Sequence, residues 1–142
     1  EYLISRVSDD EKLRIAGQID LLVKRGNKII IGDWKTNKKI ETKSFFTSKT
    51  KTSVKMKYPL NNLDDVNYWH YTLQLSTYAW MIQKKNPEFE IEDLVLVHFD
   101  HNDNMTVYHL PYLKDEVIKM LAFYKKESIL AENKRKRQRI EY

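Results

Sequence analysis

The chain has 142 residues, a net charge of +5, 42% apolar and 32% charged residues, and no cysteine. That suits one domain with a buried core rather than two, and it excludes disulfides, thiolate nucleophiles and cysteine-ligated metals. No apolar run approaches a membrane span and no secretion signal stands out, so a soluble cytoplasmic protein is expected; Glu1 in place of methionine marks 1–142 as a candidate piece of a longer chain.

Taken in chain order, Tyr2 to Val7 reads as a first strand and Ser8 to Lys12, "SDDEK", as a polar turn. Leu13 to Lys24 reads as one long strand and Lys28 to Trp34 as another, with Gly26-Asn27 between them as a two-residue hairpin loop. From residue 37 to 66 the sequence is rich in Lys, Thr and Ser, holds seven lysines against three acids, and has no regular period. A loop of that length is usually functional or disordered. Tyr68 to Lys85 has the pattern of a helix that stops before Pro87. Leu94 to Phe99 and Met105 to Leu110 form a strand pair around "HNDN", and Leu113 to Arg137 closes the chain as an amphipathic helix ending in "NKRKRQR". The order predicts a single α/β domain, with helices flanking a mixed or antiparallel sheet.

A loop at Gly26-Asn27 opposes residues whose numbers sum to 53. Asp20 then faces Asp33, and Gln18 faces Lys35, all on one side of the ladder. Gly17, Ile19, Leu21, Val23, Ile30, Gly32 and Trp34 take the other side, which is expected to be the core face. Like charges directly opposed in a sheet cost about 0.2–1 kcal/mol, so stability alone does not explain the acid pair. Lys35 or an arginine neutralising the two acids is the structural alternative. A hard divalent cation such as Mg²⁺ or Mn²⁺, bound through carboxylate oxygens, resolves the conflict directly.

The segment "IAGQIDLLVKRGNKIIIGDWKTNK", followed by "LQLSTYAWMI", resembles the PD-(D/E)XK nuclease superfamily in its RecB-like branch. The resemblance lies in G-x-x-D (Gly17 to Asp20), D-W-K-T (Asp33 to Thr36) and Q-x-x-x-Y (Gln74 to Tyr78), about half the chain. It implies a restriction-endonuclease-like core and a Mg²⁺- or Mn²⁺-dependent deoxyribonuclease, an exonuclease in DNA processing, recombination or repair, with a helicase or recombination protein as partner. By the same resemblance Asp20, Asp33 and the Trp34 carbonyl are metal ligands. Lys35 positions the attacking water and steadies the phosphate, and Gln74 and Tyr78 help hold Lys35 and the substrate. The branch usually has a further acid or histidine on a helix before the hairpin. Here the only upstream acids are Glu1 and the "DDE" turn.

Gln74 and Tyr78 share a helix face, and His70 lies one turn earlier on the same stripe, where it is a candidate phosphate contact. His98, His101 and His109 lack metal-ligand spacing and read as structural. In the loop, Lys38, Lys39, Lys49 and Lys51 are candidates to track a phosphate backbone, with Phe45 and Phe46 stacking on bases. The rival expectations are a catalytically inactive nucleic-acid-binding module of the same fold, and an interaction domain using the basic C-terminal helix.

Overall fold

The computed structural model describes residues 2–44, 46, 47 and 52–140, with backbone alone at 46, 47, 52 and 140. The elements run β1 (Tyr2–Val7), β2 (Arg14–Ile19), β3 (Leu21–Arg25), β4 (Lys28–Lys35), β5 (Phe46–Thr47), β6 (Thr52–Ser53), α1 (Asn67–Lys85), β7 (Glu90–Phe99), β8 (Met105–Leu110) and α2 (Lys114–Ile140). The main sheet has the order β3-β4-β7-β8, while β1-β2 and β5-β6 are separate antiparallel pairs. Among the described residues only β4 and β7 run parallel, and a parallel pair needs a long crossover, which α1 supplies.

The β3–β4 register follows the Gly26-Asn27 hairpin, with Leu21 opposite Gly32 and Arg25 opposite Lys28. Gly26 has φ +62°, the left-handed turn conformation that glycine adopts without steric cost. The long strand expected from Leu13 to Lys24, however, breaks at Asp20. Its first half pairs with β1 rather than β4, so Gln18 lies opposite Leu3, not opposite Lys35. The break also slips the alternation by one residue. Gly17 and Ile19 face α1 before it, whereas Asp20 and Leu22 take the inner side after it.

On β3 and β4 the core face is therefore not the expected one, whereas Ile19 and Gly17 of β2 keep theirs. Ile29, Ile31 and Asp33 of β4 are buried beside Leu94, Leu96 and His98 of β7. Leu21, Val23, Ile30, Val95 and Val97, on the opposite face, belong to neither buried cluster of the described residues, and Trp34 is 48% exposed. Both faces of β4 are apolar in sequence, so alternation alone does not say which one a helix covers.

Helix α1 is buried over most of its circumference, with Leu73, Leu75, Tyr78, Ala79 and Met81 all inside. The sheet packs on one side of it. On the other side Val117 and Leu121 of α2 join the main core. Ser76 joins the two helices, its hydroxyl accepting the Leu113 amide at 3.0 Å. Residues 53–66 of the lysine-rich segment carry a core that its composition does not predict. Met56, Leu60 and Leu63 form a small second core against Leu73, flanked by Trp69 and Met120. Among the described residues no helix is long and apolar enough to cross a membrane.

Candidate active site

The C-terminal end of β4 carries the acid–lysine sequence onto the core face, below α1. Asp33 is only 5% exposed. Lys35 Nζ lies 2.6 Å from Asp33 Oδ2, yet no hydrogen bond of good geometry reaches that buried oxygen. The Asp20 carboxylate, at the break between β2 and β3, is within hydrogen-bonding reach of Asp33. Burial, followed by the Asp20 carboxylate, pushes the Asp33 carboxyl above its ordinary value, and Lys35 only partly opposes that rise. The Trp34 amide donates to Asp20 Oδ2 at 3.5 Å, a long contact to an acid that stays partly open to solvent.

Helix α1 closes the site from above. Gln74 Nε2 donates to the Tyr78 hydroxyl at 3.0 Å. The Tyr78 ring lies against Gly17, where a Cβ would stand 2.9 Å from the hydroxyl oxygen and overlap the ring. This contact explains the glycine of G-x-x-D: it lets α1 approach β2 and brings Q-x-x-x-Y beside the acid-bearing break. Lys35 Nζ sits 4.8 Å from the centroid of the Tyr71 ring, a cation–π contact that fixes the lysine from the helix side. The sequence reading missed Tyr71. Its signal was its place one turn before Gln74 on the same helix.

His98 is buried next to Lys35 in the parallel register and donates Nε2 to the Asn37 carbonyl at 2.6 Å. It thereby fixes the chain just beyond D-W-K-T, in keeping with a structural histidine. His109 pairs with Asp93 at 2.7 Å and His101 is exposed in the β7–β8 turn. His70 is exposed at the start of α1 and pairs with Asp65 at 2.7 Å, so the structure gives it an acid partner instead of a contact with the β4 site. Lys38 and Lys39 are exposed directly after β4, where Asn67 anchors the backbone by donating to the Lys39 carbonyl at 2.8 Å. Phe45, Lys49 and Lys51, like Glu1, lie outside the described residues, and Phe46 is described only as backbone of β5.

Among the described residues no three His, Asp or Glu side chains gather as a metal cluster. The site brings together two carboxylates, one with a buried oxygen whose contact is the Lys35 ammonium, an ion pair without a well-aligned hydrogen bond. That donor set suits a hard divalent cation, which takes carboxylate oxygens and retains water in its remaining positions.

A profile of the PD-(D/E)XK nuclease superfamily matches residues 1–141, and the chain belongs to that superfamily. Among solved structures it is similar to an Eubacterium rectale protein described as a "putative exonuclease". The identity is 14% and the TM-score 0.51, over 93% of this chain and 44% of that one. The chain thus spans less than half the length of that protein, and the likeness supports the fold: a mixed sheet with two helices. Among curated proteins, none matches the chain.

Proposed function

We propose that the chain is a Mg²⁺- or Mn²⁺-dependent deoxyribonuclease of the RecB-like branch, acting as an exonuclease in DNA processing, recombination or repair. The observation that carries this reading is the buried Asp33 oxygen without a hydrogen bond, flanked by Asp20 and Lys35. Such an arrangement costs stability, and perturbed groups of this kind cluster at functional sites, where a bound cation and phosphate would make use of it.

Asp20 and Asp33 are the side-chain ligands, with the Trp34 carbonyl as a further donor. When bound, the cation lowers the pKa of its water and neutralises charge building on the phosphate oxygens. The Lys35 ammonium exchanges its contact with Asp33 for the scissile phosphate and stabilises that charge where it develops. Tyr71 limits the arc through which Lys35 swings, and Gln74 with Tyr78 walls the site on the helix side. Lys38, Lys39, Lys49 and Lys51 carry the phosphate backbone away from the cut, with Phe45 and Phe46 as stacking partners.

The test is incubation with end-labelled linear and closed circular DNA under Mg²⁺, Mn²⁺ or chelator, beside Lys35→Ala. Metal-dependent cutting that the substitution abolishes supports the reading, and the fate of the circles separates exonuclease from endonuclease action. A folded protein that cuts nothing with either metal removes it. The second reading, an inactive nucleic-acid-binding module, draws on the acid count, because only two carboxylates meet among the described residues.

A further inference from the structure

A second feature lies on the far side of α1 from the acid pair. The segment around Tyr58, carried on the small core of Met56, Leu60 and Leu63, meets the middle of α2. Between them is a groove of about 770 Å³. Its lining includes Tyr58, Phe123, Asn61, Asn62, Lys119 and Lys126, and no acid, although the Asn62 amide donates to Glu116 beside it at 3.2 Å. Tyr58 is 71% exposed, although it stands against the Phe123 ring at 5.4 Å and 80°. In a perpendicular pair one ring keeps both faces uncovered by its partner, so an aromatic face remains open here.

Lys119 and Lys126 lie two turns apart on α2, about 10 Å along the axis. Neither has an ion-pair partner among the described residues, whereas Lys12, Lys35, Lys55, Lys125 and Lys136 do. An aromatic face between two unpaired ammonium groups, beside two side-chain amides, matches a planar base with phosphates on either side. The α2 helix then carries Lys134, Arg135, Arg137 and Arg139 beyond the groove. Lys126 and Arg137 are eleven residues apart, about 16 Å on a helix, too far for one nucleotide to touch both.

We infer that the groove between Tyr58 and Phe123, together with the basic end of α2, is a second binding track for single-stranded nucleic acid, with one unstacked base held against the aromatic pair. The choice of nucleic acid over other polyanions rests on the nuclease reading. Trp69 and Leu73 face this groove's supporting core, while Tyr78 lies against Gly17 and Tyr71 against Lys35, so a strand engaging both sites passes around α1.

The test measures binding of a single-stranded 20-mer carrying 2-aminopurine, in chelator so that no cutting occurs, for the whole chain and two variants. Tyr58→Ala is expected to weaken binding by about fivefold to a hundredfold and to remove the 2-aminopurine quench. Lys119→Gln combined with Lys126→Gln is expected to weaken binding and reduce the log–log salt slope by about 0.7 for each phosphate that the lysines no longer neutralise. Lys119 and Lys126 are exposed, so the double variant should melt as the wild type does, and Tyr58→Ala, which loses its edge contact with Phe123, should melt only slightly lower. Unaltered affinity in both variants overturns the inference. So does an equal 2-aminopurine quench with blunt duplex, or a mononucleotide that binds as tightly as the strand. Cutting by the wild type alongside unaltered variants leaves the nuclease reading standing without the track. A Tyr58-dependent quench in a chain that never cuts leaves the track standing without the nuclease.

Discussion

Asp33 and Asp64 each have a lysine within 2.6 Å, yet their carboxyls move in opposite directions. Asp64 receives Lys55 at 2.5 Å, the Ser44 amide at 3.1 Å and the Ser53 hydroxyl at 3.2 Å, and these donors hold its carboxyl below the ordinary value. Asp33 receives an ammonium without an aligned hydrogen bond, has a second carboxylate beside it, and is pushed up by burial. The first acid is satisfied by its loop and fastens that loop to itself. The second is left short of donors by its own fold. A lysine beside an aspartate is therefore not a sufficient sign of structural neutralisation; the rest of the donor set decides.

Substitution should separate the two acids most strongly. Asp33→Asn is expected to lower DNA cutting by at least about 100-fold, on the scale of losing one electrostatic contributor to a transition state. Asp64→Asn is expected to leave cutting within a few-fold of wild type in the same gel assay. Equal losses would mean that the two acids do one job. Metal addition is next. Saturating Mg²⁺ or Mn²⁺ at a hundred times its dissociation constant should stabilise the fold by about 2.7 kcal/mol. In differential scanning calorimetry that shift should appear in wild type and Asp64→Asn, and vanish in Asp33→Asn and Asp20→Asn.

Gly17→Ala approaches the contrast from the helix side. The new methyl meets the Tyr78 ring and should destabilise by about 1–3 kcal/mol, measured by urea unfolding, while leaving the Asp64 clamp untouched. The smallest effect is in pH. The folded-state carboxyl of Asp33 lies above its unfolded value, so its charge opposes folding at neutral pH. Asp33→Asn should therefore raise Tm at pH 7, and the gain should shrink as pH falls through the folded pKa toward 3.8. Asp64 is the reverse case. Its folded value is depressed, so its stabilisation is present above 3.8 and is lost as pH falls further, through the folded pKa. Asp64→Asn should therefore lower Tm at pH 7, with the deficit closing only below 3.8. Both are read from thermal melts between pH 3 and 7.

Much of the fold is legible in the residues themselves. A two-residue loop set the β3–β4 register, and residue spacing gave α1, α2 and the β7–β8 pair to within a few residues. What periodicity did not carry was the break at Asp20. A strand pattern continues through it because Ile19 and Leu21 are both apolar, and only the pairing of β1 with β2 reveals that the chain has changed partners. The burial of Ile29 and Ile31 rather than Ile30 and Trp34 depends on where α1 lands, a long-range contact with no local signature. Tyr71 had a local sign, its place one turn before Gln74, but its contact with Lys35 is equally long-range. The composition of residues 37–66 suggested an irregular loop, while Met56, Leu60 and Leu63 were too widely spaced to announce a small core.

The parallel β4–β7 pair has a consequence for the order of folding. Ile29 meets Ile91, about sixty positions later, so this pairing waits for the loop and α1 to form. The β3–β4 hairpin closes across two residues and is kinetically near at hand. It draws Asp20 and Asp33 together before Tyr71, Tyr78 or His98 has arrived. If the proposed cation binds there, it would relieve the repulsion that Lys35 offsets only in part, and refolding of this chain should be faster with Mg²⁺ present than in chelator.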